Sequence, residues 1–358
     1  RNSKDKFLGS AFYNNNSKIV LRIISRNAND TFDYDFFKRR IEYALSYRMK
    51  IMPNDLNAFR LIYGEADFLS GLTVDKFNDC LVCQILSLGI DVRKDIILKA
   101  LYDVTSKYFK IRGIYLRCDV ALREKEGLEE YVGWYDKIPV ISKETTTEII
   151  ENGLKYLVDF QEGQKTGFFL DQKYNRLSIR ALAQDMTVLD CCTHTGSFAM
   201  NAALGGAKKV MALDISEKAL EDAKKNFWLN NLNIDTCCAD LFDYLRTLVD
   251  SKNKEYNLII LDPPAFTKSK DTVKSALKGY QEINYLAMKA LPRGGYLATA
   301  SCSHYASEED FTKAIFKASV MAGVTLRVVK KAYAAPDHPE IMGIPETKYL
   351  KFFIFQVV

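Results

Sequence analysis

Two textures of apolar and polar positions divide the chain near Gln161. Before it, short β-type runs stand at 18–25 (KIVLRIIS), 58–64 (AFRLIYG), 71–77 (GLTVDKF), 79–87 (DCLVCQILS) and 113–118 (GIYLRC). Helical spacing runs over 34–49 and 93–107, and the stretch 9–17 (GSAFYNNNS) reads as a turn. Residues 148–160 (EIIENGLKYLVDF) predict a hairpin around Asn152-Gly153, a strong turn dipeptide. After Gln161, strand and helix signals alternate to the end, the pattern of a parallel α/β sheet. The strand runs are 187–192, 208–214, 234–240, 256–262, 294–301, 325–333 and 350–358. The helices between them start near Gly196, Ser216, Leu241, Lys278 and Ser307, and another covers 170–182. Ser216 and Ser307 each precede an acidic first turn, as N-caps do. The last two runs have no clear helix between them, which predicts a closing antiparallel hairpin.

A chain of 358 residues is long for one core, and two or three domains are expected. No apolar run reaches the roughly 20 residues that span a bilayer, so no integral membrane protein is expected. The net charge of +5 is compatible with RNA as a partner without requiring it. Most of the eight cysteines fall inside apolar strand runs, which argues for free thiols, a reducing cytoplasm and no disulfide framework. Cys80 and Cys83 have metal-type spacing but no second pair, so two buried strand thiols are expected and no metal.

Candidate chemistry sits at the ends of the later strands, where open parallel sheets bind ligands. The first strand ends on Asp190 and turns through Thr195-Gly196 into a helix. With a single glycine this is no dinucleotide fingerprint. The acid suits a cationic amine, and the helix N-terminus suits a carboxylate. Asp214 ends the next strand, placed for ribose hydroxyls, and Asp240 ends the third, placed for an adenine amino group. Single strand-end aspartates are common turn and cap residues. Three in succession before Asp262-Pro263-Pro264 fit S-adenosylmethionine better than a pyrophosphate cofactor, which acids would repel.

The turn Asp262-Pro263-Pro264-Ala265-Phe266 can present carbonyls to a flat base, because prolines fix the backbone and remove donors, and Phe266 can stack on the ring. Lys268 and Lys270 follow as candidate substrate contacts. Cys302 ends the next strand. A thiolate adding to carbon-6 of cytosine makes carbon-5 nucleophilic, and sulfur leaves again afterwards; Asp262 can hydrogen-bond the ring nitrogen. Spacing alone does not separate this from a buried strand-end cysteine, nor a proton shuttle at His304 from a surface turn. The loop 163–172 (GQKTGFFLDQ), with Lys165, Thr166 and Phe168, can fold over the cofactor or simply begin a helix. Lys38, Arg39, Arg40, Arg117, Arg123 and Lys125 are candidate basic surface for RNA.

These residues together resemble the bacterial large-subunit rRNA cytosine methyltransferases that carry an N-terminal PUA domain. The resemblance runs through GEADFLSGLTVD (64–75), Cys118-Asp119-Val120 with REKEG (123–127), GQKTGFFLDQ, LDPPAFTKSK (261–270), SCSH (301–304), APDHP (335–339) and PETKYLK (345–351). It implies the end of a PUA-like β domain over 1–26, a central mixed α/β RNA-binding or linking domain over 27–160, and a seven-stranded class I, Rossmann-like methyltransferase sheet over 161–358. It further implies S-adenosylmethionine as cofactor, 23S rRNA or a large-subunit assembly intermediate as partner, 5-methylcytosine as product, and Cys302 as nucleophile; a homodimer is compatible with it. The chain departs from the family at His194-Thr195-Gly196-Ser197, where Tyr-Thr-Gly-Gly is frequent, and at Phe68-Leu69-Ser70, where Gly-Leu-Pro is usual. Two other readings stand beside it. One is an RNA guanine or adenine nitrogen methyltransferase working through the Asp262 turn. The other is a cofactor-binding ribosome-assembly factor without catalysis.

Overall fold

The computed structural model of the chain describes residues 1–252, 254–267 and 269–358. It has two compact units, Arg1–Leu170 with Pro336–Thr347, and Asp171–Ala335 with Lys348–Val358.

In the first unit, β1 (Ser10–Tyr13) and β2 (Leu21–Ser25) form an antiparallel pair. The stretch expected as a turn is therefore partly strand. Phe12 is what draws it in: buried, it packs edge-on against Phe32 at 5.3 Å and fills the space beside Gly89 that a β-carbon would need. Next come α1 (Tyr34–Ile51), β3 (Ala58–Tyr63), β4 (Leu72–Phe77), β5 (Cys80–Ile85), α2 (Leu88–Asp91), α3 (Lys94–Thr105), β6 (Gly113–Cys118) and β7 (Tyr131–Trp134). The sheet order is β3-β4-β5-β6-β7, antiparallel except for β5 against β6. The helix expected over 93–107 is α3, with Arg93 as its non-helical N-cap residue; the Arg93 guanidinium lies 4.2 Å from the Phe12 ring centroid. Cys80 and Cys83 are core thiols of β5, and burial pushes Cys80 up to about 12. A hairpin of β8 (Thr146–Glu151) and β9 (Leu154–Asp159) turns at Asn152 and Gly153, both with positive φ, as the dipeptide predicts.

The second unit contains, among the described residues, a seven-stranded sheet of order β12-β11-β10-β13-β14-β16-β15. Its strands are β10 (Thr187–Cys191), β11 (Lys209–Asp214), β12 (Asp235–Cys238), β13 (Leu258–Leu261), β14 (Tyr296–Ser301), β15 (Leu326–Ala332) and β16 (Lys351–Val357). The first five are parallel; β16 enters antiparallel between β14 and β15. Around them lie α4 (Lys173–Leu182), α5 (Ser197–Leu204), α6 (Glu217–Leu229), α7 (Leu241–Asp250), α8 (Val273–Ala290) and α9 (Glu308–Ala322). Ser216 and Ser307 cap α6 and α9 through their side chains, as expected. The eighth helix starts at Val273, five residues ahead of the expected Lys278, after a 3-10 turn over Lys270–Thr272. Strand order reverses between β10 and β13, which opens a crevice at their carboxyl ends. No described helix is long and apolar enough to cross a membrane.

Candidate active site

Asp190 is the penultimate residue of β10 and is fully buried. Its Oδ2 accepts from the Thr193 hydroxyl at 2.6 Å and the Ala199 N–H at 2.9 Å, while buried Oδ1 has no hydrogen-bond partner. Burial, opposed by those two donors, raises its pKa from 3.8 to about 7, with Asp262 and Asp214 adding repulsion. Buried carboxylates are costly unless a cation or donors meet them, so this orphan oxygen is suited to an ammonium group.

The turn after Asp190 is tight. Cys192, His194 and Gly196 all have positive φ. A β-carbon on Gly196 would lie 2.3 Å from Phe227 Cε1, so only glycine fits there. The His194 N–H donates to Asp214 Oδ2 at 2.9 Å, and the Ser216 N–H to Asp214 Oδ1 at 3.0 Å. Asp240 uses Oδ1 to cap α7, accepting from Phe242 and Asp243 N–H groups. The four acids converge on Cys192: burial pushes its thiol far up, and Asp214, Asp262, Asp190 and Asp240 all push the same way.

Across the reversal point, Asp262 follows β13. Its Oδ1 accepts from Gln172 Nε2 at 2.9 Å, and Gln172 Oε1 accepts from Asn175 at 2.6 Å. Cys302 follows β14, the parallel neighbour of β13. Asp262 and Cys302 share one surrounding: burial raises the Tyr280 hydroxyl to about 12, and Cys302 and Asp262 push it the same way. That hydroxyl accepts from Ser301 Oγ at 3.1 Å.

The model of the S-adenosylmethionine-dependent methyltransferase family matches residues 129–353. This chain belongs to that family. The ribosomal RNA large subunit methyltransferase I of Pseudoalteromonas atlantica is 39% identical over 360 residues, 99% of this chain and 89% of that protein. Those of Klebsiella pneumoniae (strain 342) and Escherichia coli (strain SMS-3-5) are 38% and 37% identical over 99% of this chain and 87% and 88% of theirs. In fold, the methyltransferase resembles SMU.776, solved in complex with S-adenosylhomocysteine, with a TM-score of 0.85 at 23% identity over 99% of this chain and 90% of that one.

Other residues singled out in the methyltransferase sequence have various settings. Pro263 is buried and Pro264 exposed. The Phe266 ring is half-buried, 4.6 Å from Tyr280 and 6.3 Å from Phe242. Thr195 is tied to α6, its carbonyl accepting from Asn226 at 3.0 Å. Lys268 and the side chain of Lys270 lie outside the described residues. In the first unit, Lys165 is exposed with Nζ 4.7 Å from the Phe169 ring. Thr166 donates to the buried Asp75 at 2.6 Å, and Phe168 packs on Tyr156 at 5.0 Å. Arg117 and Arg123, expected on a basic surface, are buried. The first donates to the Phe160 and Gly163 carbonyls and the second pairs with Asp91; their long polar heads find carbonyls and carboxylates inside the fold.

Two contributors had no role assigned from sequence. Gln172 orients Asp262. Lys351 is buried and donates to the Ser303 carbonyl at 2.6 Å and the Ala306 carbonyl at 2.8 Å. Burial lowers its pKa to about 8, while the Cys302 sulfur pulls it back up. The His304 ring stacks on Tyr349 at 5.0 Å, so the turn after Cys302 is held from β16 and the residues before it. Both Gln172 and Lys351 sit in the family-like blocks, which was the available signal.

Proposed function

We propose that this methyltransferase forms 5-methylcytosine in large-subunit rRNA through a covalent adduct on Cys302. The observation that carries the reading is the pairing of two strand ends: Asp262 beyond β13 and Cys302 beyond β14, with the Lys351 ammonium acting on the sulfur. The names of the relatives support rRNA as the substrate.

S-adenosylmethionine, when bound, supplies an electrophilic methyl group. Asp190 faces its ammonium, Asp214 its ribose hydroxyls and Asp240 its adenine, with Thr195 and Gly196 at the N-terminus of α5 near its carboxylate. Asp262, oriented by Gln172, hydrogen-bonds the cytosine ring nitrogen. Pro263, Pro264 and Phe266 shape the base site, and Lys268 and Lys270 meet the RNA backbone. The Cys302 thiolate forms a bond to carbon-6, and the ring electrons make carbon-5 enamine-like, so that carbon-5 would take the methyl group the sulfonium supplies while the cofactor's sulfur keeps the pair of the broken bond. Loss of the carbon-5 proton to a base then drives elimination, which breaks the C–S bond and returns the thiolate. A paired cytosine is out of reach, so the target base is unstacked or flipped.

RNA carrying 5-fluorocytosine tests this. The carbon-5 fluorine cannot leave as a proton does, so wild-type protein accumulates a denaturation-resistant adduct whose peptide contains Cys302. Cys302→Ala loses the adduct and the methylation while still binding cofactor. If Cys302→Ala makes 5-methylcytosine at a near-normal rate, the mechanism is wrong. A product methylated on an amino nitrogen transfers the assignment to the Asp262 turn alone.

A further inference from the structure

Phe68 is an aromatic residue in a conformation that suits glycine. It ends the 3-10 turn over Gly64–Asp67 with φ 58 and ψ 31, and is 48% exposed. A left-handed backbone strains a residue that has a β-carbon, and here no burial of the ring offsets the strain. Instead the ring is held ready at the surface. The Arg40 guanidinium lies 5.4 Å from the Phe68 centroid and 5.2 Å from the buried Phe36 ring, so Arg40 is itself braced from below.

Arg40, Tyr43 and Tyr47 share one face of α1 by helical spacing. Tyr43 is 63% exposed and Tyr47 39%. Tyr43 is an electrostatic neighbour of Arg40, and Tyr47 of Asp67, the residue before Phe68. Three exposed rings and one planar cation therefore form a single surface of the first unit. Arg48 pairs with Asp67, while Arg40 and Lys50, three positions after Tyr47, have no ionic partner among the described residues; Glu65 of the turn accepts from the Ser70 hydroxyl at 2.7 Å. Aromatic faces with a guanidinium and an unpaired lysine match the chemistry of unpaired nucleobases on a phosphate backbone.

We propose that Phe68, with Arg40, Tyr43 and Tyr47, is a stacking platform for unpaired bases of the RNA substrate. The proposal rests on RNA being the substrate and not on the atom that is methylated. Phe68→Gly is the decisive variant, because glycine takes the same backbone without strain and the fold is retained. The probes are a labelled single-stranded RNA 12-mer of mixed sequence and the same sequence as a duplex. Phe68→Gly is expected to bind the single strand about fivefold to tenfold more weakly with an undiminished melting temperature, because stacking one base is worth roughly that. Tyr43→Ala should weaken it similarly, and Phe68→Trp should restore binding. Single-strand affinity unchanged in both Phe68→Gly and Tyr43→Ala overturns the platform, as does an equal loss on the duplex, which presents no free base faces. Wild-type protein that binds neither RNA overturns RNA recognition as a whole, a result separable from unchanged variants of a protein that does bind.

Discussion

Replacing Asp190 by Asn separates folding from cofactor binding. The carboxylate is fully buried, and its pKa is raised from 3.8 to about 7. For an acid raised on folding, the unfolded chain ionises first. No penalty exists below about pH 4; it grows through the interval up to about pH 7 and is then constant. About three pKa units at 1.36 kcal/mol each give a penalty on the order of 4 kcal/mol near neutrality. Asn retains an oxygen for the Thr193 and Ala199 donors and removes the charge. The cofactor-free variant should therefore melt higher than wild type by several degrees at pH 8, with the advantage shrinking towards pH 4. Cofactor binding should move the other way. Only ionised Asp190 attracts an ammonium, so wild-type affinity for S-adenosylhomocysteine should rise about tenfold from pH 6 to pH 7.5 and level off. Asp190→Asn should bind weakly and lose that pH dependence. Calorimetry from pH 6 to 8 and thermal melts from pH 4 to 8 measure both. Equal cofactor affinity in variant and wild type, flat with pH, refutes the role of the orphan oxygen.

Lys351→Met should unpair the Ser303 and Ala306 carbonyls, lower the melting temperature by an amount corresponding to about 2 kcal/mol or more, and slow alkylation of Cys302 at pH 7.5, followed by peptide mapping, at least about threefold. Because the folded pKa of Lys351 is about 8 against an ordinary 10.5, the unfolded chain holds the extra proton between those values. Wild-type stability should gain with pH across that window and the variant should not; parallel pH–stability curves would remove Lys351 from the assignment. Gly196→Ala must place a methyl 2.3 Å from the Phe227 ring at φ 81, so melting should fall by a shift equivalent to about 2 kcal/mol with weaker cofactor binding, and an unchanged melt would show that the turn is more pliable than its geometry implies.

Local pattern carried much of this protein. Alternating strand and helix runs after Gln161 defined a parallel sheet, because side-chain periodicity is set within a few residues. Ser216, Ser307 and the Asn152-Gly153 turn were legible for the same reason: a cap or a tight turn is satisfied by its own neighbours. Asp190, Asp214, Asp240, Asp262 and Cys302 stood out because each ends a run of apolar residues. Pairing across long sequence distance was not legible. The last strand inserts between β14 and β15, which puts Lys351 opposite Ser301 and gives the Cys302 turn its buried cation; no local pattern records which edge a strand joins. The segment Pro336–Thr347 belongs to the first unit, where the Asp337 carboxylate accepts from the Arg60 N–H at 2.9 Å. Tertiary burial also decided charge. Arg117 and Arg123 look like surface cations in the sequence, yet backbone carbonyls and two acids, Asp119 and Asp91, claim them.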